Sequence, residues 1–108
     1  MSSRNKTYEK IVENPKKVRY AAFLKLMKAY GYEEHRKPGS RRVFVFDPAR
    51  IEKTEADFTP GTLDRIQMFF MHAPHHSGDA VNRLTIKKAI ENIDLIRMTI
   101  GEADSAQA

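Results

Sequence analysis

The chain has 108 residues, of which 41% are hydrophobic and 31% charged, and its formal net charge is +5. This length suits one domain with a single modest core, and no apolar run approaches the ~18 residues that a transmembrane helix needs. The absence of cysteine excludes disulfides and thiolate metal sites and is compatible with a cytoplasmic location. The basic N-terminus precedes no apolar segment, so we expect no signal peptide. The positive charge favours nucleic acid or an acidic protein as a partner.

Two helices are predicted in the first third of the chain. Residues 4–14 form the first, because Tyr8, Ile11 and Val12 share one face and the Asn14-Pro15 pair ends it. Residues 20–30 form the second, because their aromatic, Leu and Met residues recur with the period of an amphipathic helix. These side chains are expected in the core. Gly31 follows and suits a left-handed C-terminal cap.

Three strands are predicted next, over Tyr32–Lys37, Arg41–Phe46 and Gln67–His72. The Pro38-Gly39 pair between the first two strands predicts a tight turn. Three consecutive strands make an antiparallel meander. Both faces of the second strand are apolar, so the helices are expected to cover one face of the sheet, and a partner chain or a dimer mate the other.

The stretch 47–66 lies between the second and third strands and is too long for a simple hairpin loop. It is compatible with a protruding hairpin, a short helix or a mobile loop. A last helix is predicted to start between Asn82 and Thr85, because isoleucines recur at steps of three and four until Gly101. The prediction is an α+β two-layer sandwich over residues 1–100, with a disordered tail at 101–108.

The turn between the first two strands carries a dense positive charge. Four of the eight residues from His35 to Arg42 are Lys or Arg. Arginine presents a planar fork of donors, and turn amides can point at the same anion, so this stretch is a candidate phosphate site. The alternative is a solvated surface turn whose cations balance Glu33 and Glu34.

A second cluster places three of the four histidines within five residues, at His72, His75 and His76. Histidine exchanges its proton near neutral pH and therefore suits acid–base catalysis. A zinc site is a second interpretation, although Asp79 is the only further ligand nearby and the spacing matches no zinc motif. A loop cluster without a function is the third. The remaining histidine, His35, is expected to be an ordinary strand residue.

Together the two clusters could carry out RNA cleavage. The reaction needs a base for the 2′-hydroxyl proton, an acid for the leaving 5′-oxygen, and cations around the crowded phosphate. Histidines at one strand end and arginines on the neighbouring hairpin would supply all three. A non-catalytic module that binds RNA or a protein partner, and a metal-dependent protein, remain as alternatives.

The order of several short motifs resembles the HicA family of bacterial toxin–antitoxin systems. The matching segments are Ala29-Tyr30-Gly31-Tyr32, Gly39-Ser40-Arg41, His72-Ala73-Pro74-His75 and Leu84-Thr85-Ile86. The opening, with Ile11 to Pro15 and Val18-Arg19-Tyr20, resembles the longer members of that family. The resemblance covers roughly residues 7–97 apart from the insertion at 47–66.

The resemblance implies a double-stranded-RNA-binding-like α-β-β-β-α fold with an extra N-terminal helix. It also implies a cytoplasmic mRNA endonuclease (mRNA interferase) that needs no cofactor. A HicB-type antitoxin is expected to neutralise it, and the expected assembly is a homodimer or a toxin–antitoxin hetero-oligomer. Much of the family has a catalytic histidine where this chain has Arg41, and arginine cannot act as a base near neutral pH. Either His72 or His75 then carries the proton transfer, or the protein binds RNA without cutting it.

The expected roles follow from this combination of motifs. His75 is the leading acid–base candidate and His72 the second. The expected RNA- and phosphate-binding residues are Ser40, Arg41 and Arg42 at the site and Arg36 and Lys37 as cations that steer RNA toward it.

Overall fold

A computed structural model describes residues 3–76 and 78–102. These described residues form four α-helices and three strands, which are α1 (Ser3–Glu13), α2 (Tyr20–Ala29), β1 (Tyr32–Arg36), β2 (Arg41–Phe46), α3 (Pro60–Ile66), β3 (Met68–His72) and α4 (Arg83–Ile100). Three single 3₁₀ turns lie at Pro15–Lys17, Pro48–Ile51 and Glu55–Asp57. The predicted elements are confirmed within one or two residues at each end. The predicted disordered tail falls largely on residues 103–108, which lie outside the described residues.

The three strands form an antiparallel meander in the order β1-β2-β3, as predicted. In this register Val43 lies between His35 on one side and Phe70 on the other. Side chains alternate between the two faces of the sheet. The face toward the helices carries Phe44, which is fully buried and packs edge-on against Phe23 of α2, with the ring centroids 5.7 Å apart. The helices therefore form one layer and the sheet the other, which is the predicted α+β arrangement.

Helix α4 places its isoleucine stripe against this core. Ile86, Ile93 and Ile96 are almost completely buried. The side chain of Asn82 caps the helix by accepting a hydrogen bond from the backbone N–H of Leu84 at 2.8 Å. Gly101 ends it in the left-handed conformation, with φ of 84°.

The segment between β2 and β3 contains the short helix α3, which was one of three alternatives for this stretch. Pro60 occupies the first turn, and the hydroxyl of Thr59 accepts a hydrogen bond from Thr62 N at 3.2 Å. The last residue of the helix, Ile66, is fully buried. Its carbonyl accepts a 2.6 Å hydrogen bond from the hydroxyl of Tyr32, so the segment is anchored to β1.

A buried charge holds α1 against α4. Arg97 of α4 is only 3% exposed, and it donates hydrogen bonds to Asn5 Oδ1 at 2.7 Å and to the Tyr30 hydroxyl at 3.3 Å. Its guanidinium lies 3.8 Å from the ring centroid of Tyr8. The contacts of Arg97 therefore join α4 to α1 and to the residue that follows α2.

Glu102 completes this network just beyond the end of α4. Its carboxylate accepts hydrogen bonds from the Tyr30 hydroxyl and from Arg4 Nε, each at 2.8 Å. The Arg4 contact spans almost the whole sequence and brings the start of α1 to the end of α4.

Candidate functional site

One face of the sheet has no helix packed against it in the described part of the chain. We call it the open face. It presents Glu33, His35, Arg41, Val43, Val45, Met68, Phe70 and His72. Two of its apolar side chains are strongly exposed, Phe70 at 67% and Met68 at 47%. The sequence predicts that both sides of β2 are apolar and that the helices cover only one of them. The open face is the side that the helices leave uncovered.

The basic turn stands at one end of the open face. Gly39 adopts a φ of +74°, which the tight turn requires. The backbone N–H of Lys37 donates to Arg41 O at 3.0 Å and closes the hairpin. The carbonyl of Ser40 accepts a 2.7 Å hydrogen bond from Ala73 N, directly after β3. The turn is thus tied to the start of the histidine loop, which joins the two halves of the predicted site.

Arg41 and His72 are direct cross-strand partners on the open face. Side chains opposite one another on antiparallel strands have their Cβ atoms about 4.5–5.5 Å apart. Both residues are exposed, and Arg41 Nε donates to the Pro38 carbonyl at 3.3 Å. A permanent cation and an imidazole therefore lie side by side at one end of the sheet.

Arg42 points to the other side of β2, so the two arginines do not share one face. Its Nε lies 3.3 Å from Glu34 Oε2, within ion-pair distance but without hydrogen-bond geometry. Its Nη1 donates to Arg41 O at 2.9 Å. Glu34 also accepts a 2.6 Å hydrogen bond from the Tyr20 hydroxyl, and burial together with this bond raises the pKa of Tyr20. The contacts of Arg42 hold the turn.

The other predicted cations differ in their surroundings. Arg36 is 75% exposed and lies 4.0 Å from Glu34 Oε1, on the same side as Arg42. Lys37 is exposed beside the turn, and Ser40 is half-buried within it. Lys37 thus remains exposed at the turn, whereas Arg36 and Arg42 lie beside Glu34.

His75 and His76 lie in an exposed loop after β3. The backbone N–H of His76 donates to Asp79 Oδ2 at 3.3 Å, and Asp79 O accepts from Tyr20 N at 3.1 Å, so the loop is fixed to the start of α2. Across residues 3–76 and 78–102, no three His, Asp or Glu side chains gather as a metal-ion site. Ser77, between the two halves of this loop, lies outside the described residues.

A cleft of about 360 Å³ opens beside the Arg41–His72 pair. Its walls include Lys37, Pro38, Val43 and Phe70. Sequence reasoning missed Phe70 as a site residue, although alternation along β3 places it on the same face as His72. A larger depression of about 660 Å³ lies between α1 and α4, but it is lined mainly by apolar side chains and contains no histidine. We therefore assign the candidate site to the smaller cleft.

No helix among the described residues is long and apolar enough to cross a membrane. No protein-family profile, no curated protein and no solved structure matches the chain. The functional argument consequently depends on the geometry of the open face and on the sequence motifs.

Proposed function

We propose that this chain binds RNA on the open face of its sheet and cleaves it, as the mRNA interferase of a HicA-type toxin–antitoxin system. The observation that carries the proposal is the direct cross-strand pairing of Arg41 with His72 beside a basic turn. Arg41 binds a phosphate of the RNA backbone, and Lys37 attracts the polyanion to it. An mRNA target places this activity in the cytoplasm.

The reaction needs two proton transfers at the phosphate that Arg41 holds. A base removes the 2′-hydroxyl proton, the 2′-oxygen attacks the adjacent phosphorus, and an acid protonates the leaving 5′-oxygen, which gives a cyclic phosphate and a free 5′-hydroxyl. Arg41 stabilises the negative charge that builds up on the phosphate oxygens. His72 carries one of the two transfers because it is the partner of Arg41. His75, three residues further along the exposed loop, is the candidate for the other.

The element order supports the same family. With α3 set aside, the order α2-β1-β2-β3-α4 agrees with the order expected of a double-stranded-RNA-binding-like domain. In this proposal α1 corresponds to the extra N-terminal helix of the longer HicA proteins. In this proposal α3 and the 3₁₀ turns before it are the insertion at 47–66. A HicB-type antitoxin, with acidic groups for the basic turn, is the protein partner that covers the open face in the inactive complex.

A second candidate function is RNA binding without cleavage. Arg41 favours it, because a permanently charged guanidinium stands where much of the HicA family has a histidine, and it cannot remove a proton near neutral pH. In this case the same open face binds RNA, and an RNA complex rather than a cleaved product is the end point.

Incubation with a radiolabelled RNA and with the same sequence carrying 2′-deoxy nucleotides tests the proposal. We expect cleavage of the RNA alone, because the 2′-oxygen is the nucleophile. His72→Ala and His75→Ala should each lower the rate by about 10²- to 10⁴-fold, which is the usual contribution of a positioned acid or base. His35→Ala is the matched control, since His35 is an exposed histidine of the same face paired with Glu33 at 3.6 Å. Equal cleavage of both substrates would refute the mechanism, and binding without cleavage would establish the second candidate.

A further inference from the structure

Phe70 is the most exposed large apolar side chain in the described part of the chain, at 67%. It is the central residue of strand β3, a position where an aromatic side chain normally packs into a core. The neighbouring Phe69 does pack into the core, on the helix side of the sheet. The sheet therefore displays a flat aromatic surface to solvent next to the candidate site. An exposed aromatic ring at this position is a surface on which a flat apolar group can stack.

The surroundings of Phe70 combine apolar walls with positive charge. Val43 lies directly opposite it on β2, and His72 follows two residues later on the same face. Phe70, Val43 and Pro38 line the cleft together with the three cations Lys37, Arg41 and Arg42. One end of the cleft is therefore aromatic and apolar, and the other can bind an anion.

We propose that this cleft is a nucleobase subsite, in which the base next to the phosphate held by Arg41 stacks on the ring of Phe70. The inference rests on the proposed RNA-binding function and specifies its substrate as unpaired RNA. The cleft volume of about 360 Å³ is at the lower end of the ~300–1,000 Å³ of small-molecule sites and accommodates one nucleoside. In a duplex both faces of each base are occupied by its neighbours, so paired RNA cannot stack on Phe70.

Charge favours RNA over a second copy of this chain as the occupant. A symmetric dimer through the open face would bury Lys37 and Arg41 of both chains in one interface, because a two-fold interface uses the same patch on both subunits. An RNA strand supplies a phosphate for the cations and a base for the ring at the same time. Stacking on aromatic side chains is tolerant of base identity, so the subsite requires a base but reads its sequence weakly.

The test measures binding of a fluorescein-labelled, unpaired 12-nucleotide RNA by anisotropy, with His72→Ala as the background to prevent cleavage. We expect Phe70→Leu to weaken binding by about 5- to 100-fold, which is the range that loss of one base–aromatic stack produces. Phe70→Trp should retain the affinity, because it keeps an aromatic ring. Met98→Leu is the control, since Met98 is an apolar side chain of similar exposure, 64%, on α4. The same RNA annealed to its complement should bind weakly, and Phe70→Leu should leave that affinity unchanged.

An abasic scan of the RNA shows whether the lost contact is a base. One abasic position should lower the RNA affinity of the protein that retains Phe70. The same abasic position should not lower the RNA affinity of the Phe70→Leu variant any further. Equal binding of unpaired and duplex RNA, or an unpaired-RNA affinity insensitive to Phe70→Leu, would overturn the subsite while leaving 2′-hydroxyl-dependent cleavage, and hence the proposed function, intact. A wild-type dimer in sedimentation that dissociates in Phe70→Leu would also overturn it. Absence of any RNA binding would refute both proposals together.

Discussion

Replacing the buried Arg97 by alanine should strongly destabilise the fold. The substitution removes three hydrogen bonds of a guanidinium that is 3% exposed, to Asn5, Tyr30 and the Glu102 carbonyl. It also removes the contact with the Tyr8 ring and the 3.8 Å ion pair with the Glu102 carboxylate. Hydrogen bonds to charged groups contribute about 1.5–3 kcal/mol each, and a desolvated cation–π contact about 2 kcal/mol. The desolvation of the charge, which costs several kcal/mol, offsets part of this gain.

The surroundings that remain after Arg97→Ala set the net loss. Breaking a buried ion pair typically costs about 3–5 kcal/mol, because one charge is left without compensation. Here Glu102 keeps its 2.8 Å contacts with Arg4 and with the Tyr30 hydroxyl. We therefore expect a loss at the lower end, about 3 kcal/mol. For a domain of this size that corresponds to a fall in melting temperature of about 12–24 °C.

Urea unfolding followed by far-ultraviolet circular dichroism measures this loss. Arg65→Ala is the matched control, because Arg65 also pairs with a glutamate, Glu91 at 3.3 Å, but is 60% exposed. Exposed pairs contribute about 0–1 kcal/mol. Arg97→Met separates packing from charge, since methionine keeps an apolar stem without the guanidinium. If Arg97→Ala and Arg65→Ala lowered the free energy of unfolding equally, the argument from burial would be wrong.

Three further predictions concern two glycines with positive φ, the pKa of Tyr8 and the contact of Arg41 with RNA. Gly31→Ala should cost more than about 2 kcal/mol in urea unfolding, because a left-handed residue with a Cβ costs about 1–2 kcal/mol and this Cβ would lie 2.8 Å from a Phe46 ring carbon. Gly39→Ala, at φ +74° with open space around it, should cost only the backbone strain. Burial and the Asp94 carboxylate raise the pKa of Tyr8 to about 12, so its phenolate absorbance should be absent at pH 10 in the folded protein. Because the folded pKa is the higher one, the associated stability is complete below pH ~10 and is lost as the pH rises toward the folded pKa. Arg41→Ala should reduce the slope of log K against log salt for single-stranded RNA by about 0.7, the value for one lost phosphate contact; an unchanged slope would contradict its assigned contact.

The regular elements could be predicted because their signals are local. The isoleucine period of α4, the β-formers of β2 and the glycine at position 31 each depend on neighbouring residues alone, and the structure confirms all three. The sequence leaves helix α3 among three alternatives because the Pro60-Gly61 pair is typical of a turn. The preceding Thr59 with Pro60 is a helix-start signal that could have decided it.

The parts of the site that could not be predicted from the sequence depend on the register in which the strands pair. Alternation already separates Arg41 from Arg42, but the choice of which one faces Glu34 requires knowing which side the helices cover. Only the pairing of β2 with β3 sets Arg41 opposite His72. Arg97 was missed for a related reason, since it lies four residues after Ile93 on the apolar stripe, and a charge there is stable only beside partners that α1 and the residue after Gly101 provide.

The contact between Arg4 and Glu102 also has a practical consequence for protein engineering. A domain whose entry and exit points adjoin can be spliced into a surface loop of a host protein without stretching the host. It can likewise be circularly permuted, by joining the two ends with a short linker and opening new ones in an exposed segment such as that around Glu55. Such a permutant keeps each strand, the basic turn and the histidine loop unbroken only if the new ends avoid residues 32–46 and 68–81, which makes the segment between β2 and α3 a suitable place to cut.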